Sequence, residues 1–96
     1  KNDKDMNGIT KQIKDAVLDL LMSRIDRENY GMLSNYRMSR QSERILEQNG
    51  IRVTSKLCTT DTVTLNGETV ATVNYRYAAR KINGMYKMLK PQVIYI

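Results

Sequence analysis

The chain has 96 residues, 41% of them hydrophobic and 27% charged, which suits one small domain with a modest core and excludes a disordered polymer. It carries 16 Lys and Arg against 10 Asp and Glu, a formal net charge of +6, with no His and a single Cys. Those absences exclude an internal disulfide, a Cys/His metal centre and any His-assisted Ser or Cys nucleophile.

The acids form no motif that would hold a catalytic metal, and no Gly-rich phosphate loop precedes a helix. No catalytic residue, metal site or cofactor is therefore expected, and the chain reads as a binding protein rather than an enzyme. The charge is unevenly placed. Residues 1–28 balance six bases with six acids, whereas residues 29–96 hold ten bases and four acids and carry the whole +6. A basic body points to a polyanion or an acidic protein as partner. No segment is apolar enough to span a membrane and no signal peptide is visible, so no membrane partner and a cytoplasmic, reduced setting are expected.

In chain order, residues 1–6 are polar and read as frayed ahead of a single domain covering 1–96. From Asn7 to about Ser23 the residues Ile9, Ile13, Ala16, Val17, Leu20 and Leu21 share one helical face, with Asn7 or Thr10 as cap. Leu18, Met22 and Ile25 lie off that face, and they predict a homodimer contact made by the first helix. Arg24–Arg37 is polar and poorly periodic, a loop with at most one short helical segment. A second helix starts at Ser39 and stops at Asn49-Gly50. Ile45 and Leu46 face its core, while Arg37, Arg40 and Arg44 project from one side at spacings of three and four.

The strongest local pattern follows. Ile51–Leu57 alternates as a strand, and Asp61–Tyr75 places β-branched runs on both sides of Asn66-Gly67, a two-residue hairpin signal. Together they predict a three-stranded antiparallel meander over Ile51–Tyr77. Cys58 reads as a strand-end residue. From Tyr75 to Lys90 a C-terminal helix is expected, because Tyr75, Ala78, Ala79, Ile82, Met85, Tyr86 and Leu89 fall within one arc at 100° per residue. Arg76, Arg80, Lys87 and Lys90 then form a stripe beside it, with Lys81 adjacent and no acid between Arg76 and Lys90. Asn83-Gly84 opposes this reading, since Gly inside a helix costs about 1 kcal/mol relative to Ala. After Pro91, Val93–Ile96 reads as a short edge strand. The fold class expected is α+β: a helical N-terminal half, a three-stranded meander and a C-terminal helix.

Two partial resemblances accompany this reading. Met32–Leu46 resembles a helix-turn-helix with the meander as its wing, and Ser39-Arg40-Gln41-Ser42 would open the recognition helix. It departs from the pattern at Arg37, where the turn usually has Gly, and at Glu43, where a core residue is usual. The order helix, three strands, helix from Ser39 to Lys90 is similar to a double-stranded RNA-binding domain, without that family's Gly and Lys entry to the last helix. Both imply contact with phosphates. The expected function is a small basic nucleic-acid-binding module, DNA or RNA, using Arg76, Arg80, Lys81, Lys87 and Lys90 with Arg37, Arg40 and Arg44 as a second contact. The alternative is a protein-binding inhibitor, adaptor or oligomerising regulator with an acidic partner.

Overall fold

The computed structural model of the protein describes residues 8–57 and 60–96. The expectations for residues 1–6 and Cys58 fall outside them. Helix α1 spans Lys11–Tyr30 and is followed by a short 3-10 turn at Gly31–Leu33. Thr10 is extended and its Oγ1 accepts the Ile13 N–H at 3.2 Å, which sets the start. Gly31 ends the helix with φ 56°, its N–H donating to the Arg27 carbonyl. The helix therefore begins later and runs further than Asn7–Ser23. Arg24–Tyr30 is helical despite its polarity, because only one side of it is covered. Ile25 enters the core there, while the Arg24 guanidinium donates to the carbonyls of Val53 at 3.3 Å and Thr54 at 2.5 Å.

Two carboxylates on α1 fold the next segment back along it. Asp26 accepts from the Ser34 hydroxyl at 2.7 Å and from the N–H groups of Asn35 and Tyr36. Asp19 accepts from the Tyr36 hydroxyl at 2.6 Å and the Ser39 N–H at 3.1 Å. The segment then enters α2, Arg40–Gln48, with Ser39 as its cap. Leu46 is buried and Met38 and Ile45 pack on the same core, so α1 is covered on a second side by its own chain.

The sheet beneath α1 has the order β1-β2-β3-β6, with β1 Ile51–Val53, β2 Thr60–Leu65, β3 Glu68–Asn74 and β6 Gln92–Tyr95, all antiparallel. Val63 faces Ala71 and Thr64 faces Thr69, so Val70 has no opposite residue on β2. This bulge lets Val70 and Ala71 both turn inward, which strict alternation would forbid. Ile13, Val17, Leu21 and Ile25 of α1 join Val53, Val63, Val70, Ala71 and Val73 of the sheet in a single core. Asp61 is buried at its edge, accepting from the Leu57 N–H at 3.0 Å and the Tyr75 hydroxyl at 2.9 Å.

The second half of the chain corrects the expected fold. No helix occupies Tyr75–Lys90. Instead β4 (Tyr77–Ile82) and β5 (Met85–Met88) pair as a separate two-stranded antiparallel sheet, inserted between β3 and β6. Asn83 and Gly84 form its two-residue loop with φ 53° and 82°. Positive φ at two successive residues cannot be accommodated inside a right-handed helix, so turn chemistry overrides the apolar arc. The arc is not a face at all. Ile82, Met85, Tyr86 and Leu89 are exposed, whereas Met88, which lies off the arc, is buried in the core. The described residues thus form two helices and six strands in two antiparallel sheets, helical first and strand-rich afterwards.

Candidate nucleic-acid interface

The β4–β5 ribbon is an arm. Every residue of β4 except Ala78 is exposed, and at the tip Arg80 to Tyr86 are all exposed. The ribbon joins the body at its base. Leu89 N–H donates to the Arg76 carbonyl at 2.7 Å, which closes the ladder below Tyr77–Met88. The Asn29 side chain, on the last turn of α1, then grips β5: its Nδ2 donates to the Met88 carbonyl at 2.9 Å and its Oδ1 accepts the Met88 N–H at 2.8 Å. One amide thereby satisfies both backbone groups of a strand residue, as a neighbouring strand would.

The predicted stripe residues separate into two roles. Lys87 is an anchor. Its Nζ donates to the Asn29 carbonyl at 2.7 Å and sits 4.4 Å from the centre of the Tyr30 ring, a cation placed at a helix C-terminus where the dipole favours it. Arg76 and Lys90 flank the base and Arg80 and Lys81 lie toward the tip, all exposed. Among the described residues none of these four makes an ion pair, and Lys81 lies 5.7 Å from the Tyr86 ring centre. No acid follows Glu68 in the sequence, so nothing on the arm neutralises them.

The second predicted set does not join them. Arg37 lies before the α2 cap and not on the helix. One of its Nη atoms donates to the Tyr36 carbonyl, and its charge helps hold Asp26. Arg40 and Arg44 are exposed one turn apart on α2. The start of α2 is tied to Asp19 and the arm to Asn29, ten residues on (29 − 19) along α1. At 1.5 Å per residue these levels are about 15 Å apart along the helix. Of the residues expected at a homodimer contact, Ile25 is in the core of its own chain and Leu18 and Met22 are half-buried. Nor does either partial resemblance describe the fold. Only Met32–Leu33 of the supposed first helix of a helix-turn-helix is helical, in the 3-10 turn, and a double-stranded RNA-binding order needs the missing last helix.

Two acids of α1, Asp19 and Asp26, are committed to the fold. Burial alone would push Asp19 upward, but hydrogen bonds from the Tyr36 hydroxyl and from Ser39 and Ser42 outweigh it and hold its carboxyl below the ordinary 3.8. The Ser34 hydroxyl does the same for Asp26, against some desolvation and with help from two backbone N–H groups and Arg37. Tyr36 is raised above 10.0 by donating to Asp19.

A groove of about 730 Å³ between α1 and the α1–α2 segment is lined by Leu20, Arg24, Arg27, Tyr36, Met38 and Glu43. Its charges are of mixed sign, and Arg24 is already bound to backbone carbonyls, so it has less to offer an anion than the arm. Among the described residues no cluster of acids, Cys and His is placed to hold a metal, and no helix is long and apolar enough to cross a membrane. Comparison with protein families, with characterised proteins and with solved structures finds no match.

Of the tyrosines on the arm, a helical wheel hides Tyr86 within the apolar arc and leaves Tyr77 off it. The signal that would have found them is Asn83-Gly84: treated as a hairpin turn, it sets Ile82 against Met85 and Lys81 against Tyr86 directly.

Proposed function

We propose that the protein binds nucleic acid through the β4–β5 arm, with Arg76, Arg80, Lys81 and Lys90 as the phosphate contacts. The observation that carries this reading is an exposed two-stranded ribbon with four cations outside any ion pair and no acid. A β-ribbon is narrow enough to lie in a groove or along a strand, and its cations meet successive phosphates without rearranging the body. The anchor through Asn29 and Lys87 supports the same reading. It ties the base of the arm to the rigid helix and leaves the tip to the ligand.

The test is a salt series with mixed-sequence DNA and RNA, read by fluorescence anisotropy. Each neutralised phosphate contributes about 0.7–0.9 to the slope of log affinity against log salt, so four contacts give a slope of about −3. The double substitution Arg76→Glu, Arg80→Glu should flatten that slope to about −1.5 or shallower while the protein stays folded, since both side chains are exposed. Absence of salt-sensitive binding near physiological ionic strength would sink the proposal. An acidic protein would then be the partner to test against the same surface, whose exposed Ile82 and Met85 suit a partly apolar contact.

A further inference from the structure

The arm carries more than charge. Tyr30, Tyr77 and Tyr86 are 50%, 51% and 55% exposed, an unusual set for the bulkiest side chains of a chain that has neither Trp nor Phe. Pairing fixes how two of them stand. Tyr77 lies opposite Met88 and Lys81 opposite Tyr86, and directly opposed residues project to one face of a ribbon. A register shift on β4 separates these two pairs, so Tyr86 with Lys81 stands toward the tip of the ribbon and Tyr77 at its base, both rings half-exposed. Lys81 stands beside the Tyr86 ring and Lys87 beside the Tyr30 ring, each placing a positive charge within one side chain's reach of an aromatic face.

Resting on the nucleic-acid reading above, we propose that the ligand of the arm is single-stranded nucleic acid, whose bases stack on Tyr86 and Tyr77 while Arg80, Lys81 and Arg76 hold the intervening phosphates. The argument is one of available surface. In a duplex the bases succeed one another every 3.4 Å per strand, so their faces are covered by their neighbours and only their edges and the phosphates can be reached. An exposed ring meets no base face there. A single strand can splay its bases, and each base then has a π-face to lay on a tyrosine. Lys81, beside the Tyr86 ring, can meet the phosphate that a nucleotide presents next to its base. Sequence preference should be weak, because every base has a stacking face and the ribbon's side chains at these positions offer few groups for reading base edges.

The experiment compares four ligands of equal length at one salt concentration: a mixed-sequence single strand of DNA, the same strand as RNA, its duplex, and an abasic strand that keeps the phosphates alone. The expected order places both intact single strands at least about tenfold tighter than the duplex and the abasic strand. Tyr86→Ala should weaken single-strand binding by about fivefold to a hundredfold, leave abasic-strand binding unchanged, and be rescued by Tyr86→Phe, which keeps the ring. If the duplex or the abasic strand binds as tightly as the intact single strand, the inference fails and a phosphate-tracking arm is left. Failure follows equally if Tyr86→Ala and Tyr86→Phe behave alike. Loss of binding to all four ligands by the wild-type protein would instead overturn the nucleic-acid reading beneath it.

Discussion

The protein contains two hairpins closed by the same two residues. Asn66-Gly67 joins β2 to β3 with φ 51° and 89°, and Asn83-Gly84 joins β4 to β5 with φ 53° and 82°. The turns are near copies, but the strands they connect are not. In β2–β3, Thr, Val and Leu alternate and the inward set is buried beneath α1. In β4–β5 the residues are Tyr, Ala, Arg, Lys, Ile and Met, and almost all are exposed. A turn that accepts only a hairpin makes the strand partners of each other whatever their propensity. What the strands are made of then decides whether the hairpin is buried in the core or left exposed as an arm. The first hairpin earns its stability from the core, and the second is held by its base.

That contrast can be broken by substitutions matched across the two hairpins. Val63→Ala in β2 removes two methyl groups from a fully buried site and should cost about 2–3 kcal/mol in urea-induced unfolding. Ile82→Ala in β4, at a half-exposed site, should change global stability by no more than about 0.5 kcal/mol. Equal losses would show that the arm belongs to the cooperative core.

A subtler pair addresses the turns. A Cβ placed at Gly67 or at Gly84 meets no atom within 4 Å, so Gly→Ala at either tests backbone strain alone. Each should cost about 1–2 kcal/mol locally, since a left-handed conformation is unfavourable for Ala. Gly67→Ala should express that cost as a lower global unfolding midpoint. Gly84→Ala should leave the midpoint nearly unchanged and show itself in faster amide exchange at Lys81 to Tyr86. Equal shifts of the midpoint would contradict the division drawn here.

The smallest expected effect is that of pH. Asp19 and Asp26 have folded values below 3.8, so the stability they confer is present above that value and is lost as pH falls through the lower folded values. Tyr36 is raised, so its contribution is whole below 10.0 and is lost as pH climbs through its higher folded value. The unfolding midpoint should therefore decline at both extremes, most clearly below pH 3.8, and Asp19→Asn with Asp26→Asn should flatten the acid limb. The arm contains neither carboxylate nor His, so its charge should not follow that acid limb. Binding that fell in step with body stability would place part of the interface on the α1–α2 segment.

Much of the fold was legible because the determining interactions are local. Thr10 and Ser39 accept hydrogen bonds from N–H groups three residues on, so a cap can be read from a short stretch. Arg24–Tyr30 was not legible, since a polar run stays helical here only because Ile25 is received by the core and Asn29 by the arm. Tyr75–Lys90 was misread for the opposite reason. Its Ala, Arg, Lys and Met residues are good helix formers, and at 100° per residue they make a convincing arc. The decisive residues are Asn83 and Gly84: as a two-residue hairpin turn they reverse the chain, which outweighs the local cost of about 1 kcal/mol that Gly carries inside a helix.

Composition and spacing alone determined that this is a small basic chain with no His and one Cys, with a net charge of +6 carried beyond residue 28. Those properties are sums over the chain and need no geometry. The tertiary structure decided which cations lie near one another. It drew Lys87 onto the carboxyl end of α1, parted Arg40 and Arg44 from the arm, and left Arg76, Arg80, Lys81 and Lys90 on one ribbon beside Tyr77 and Tyr86. Such groupings depend on contacts between residues as distant as Asn29 and Met88, and a local pattern carries no record of them.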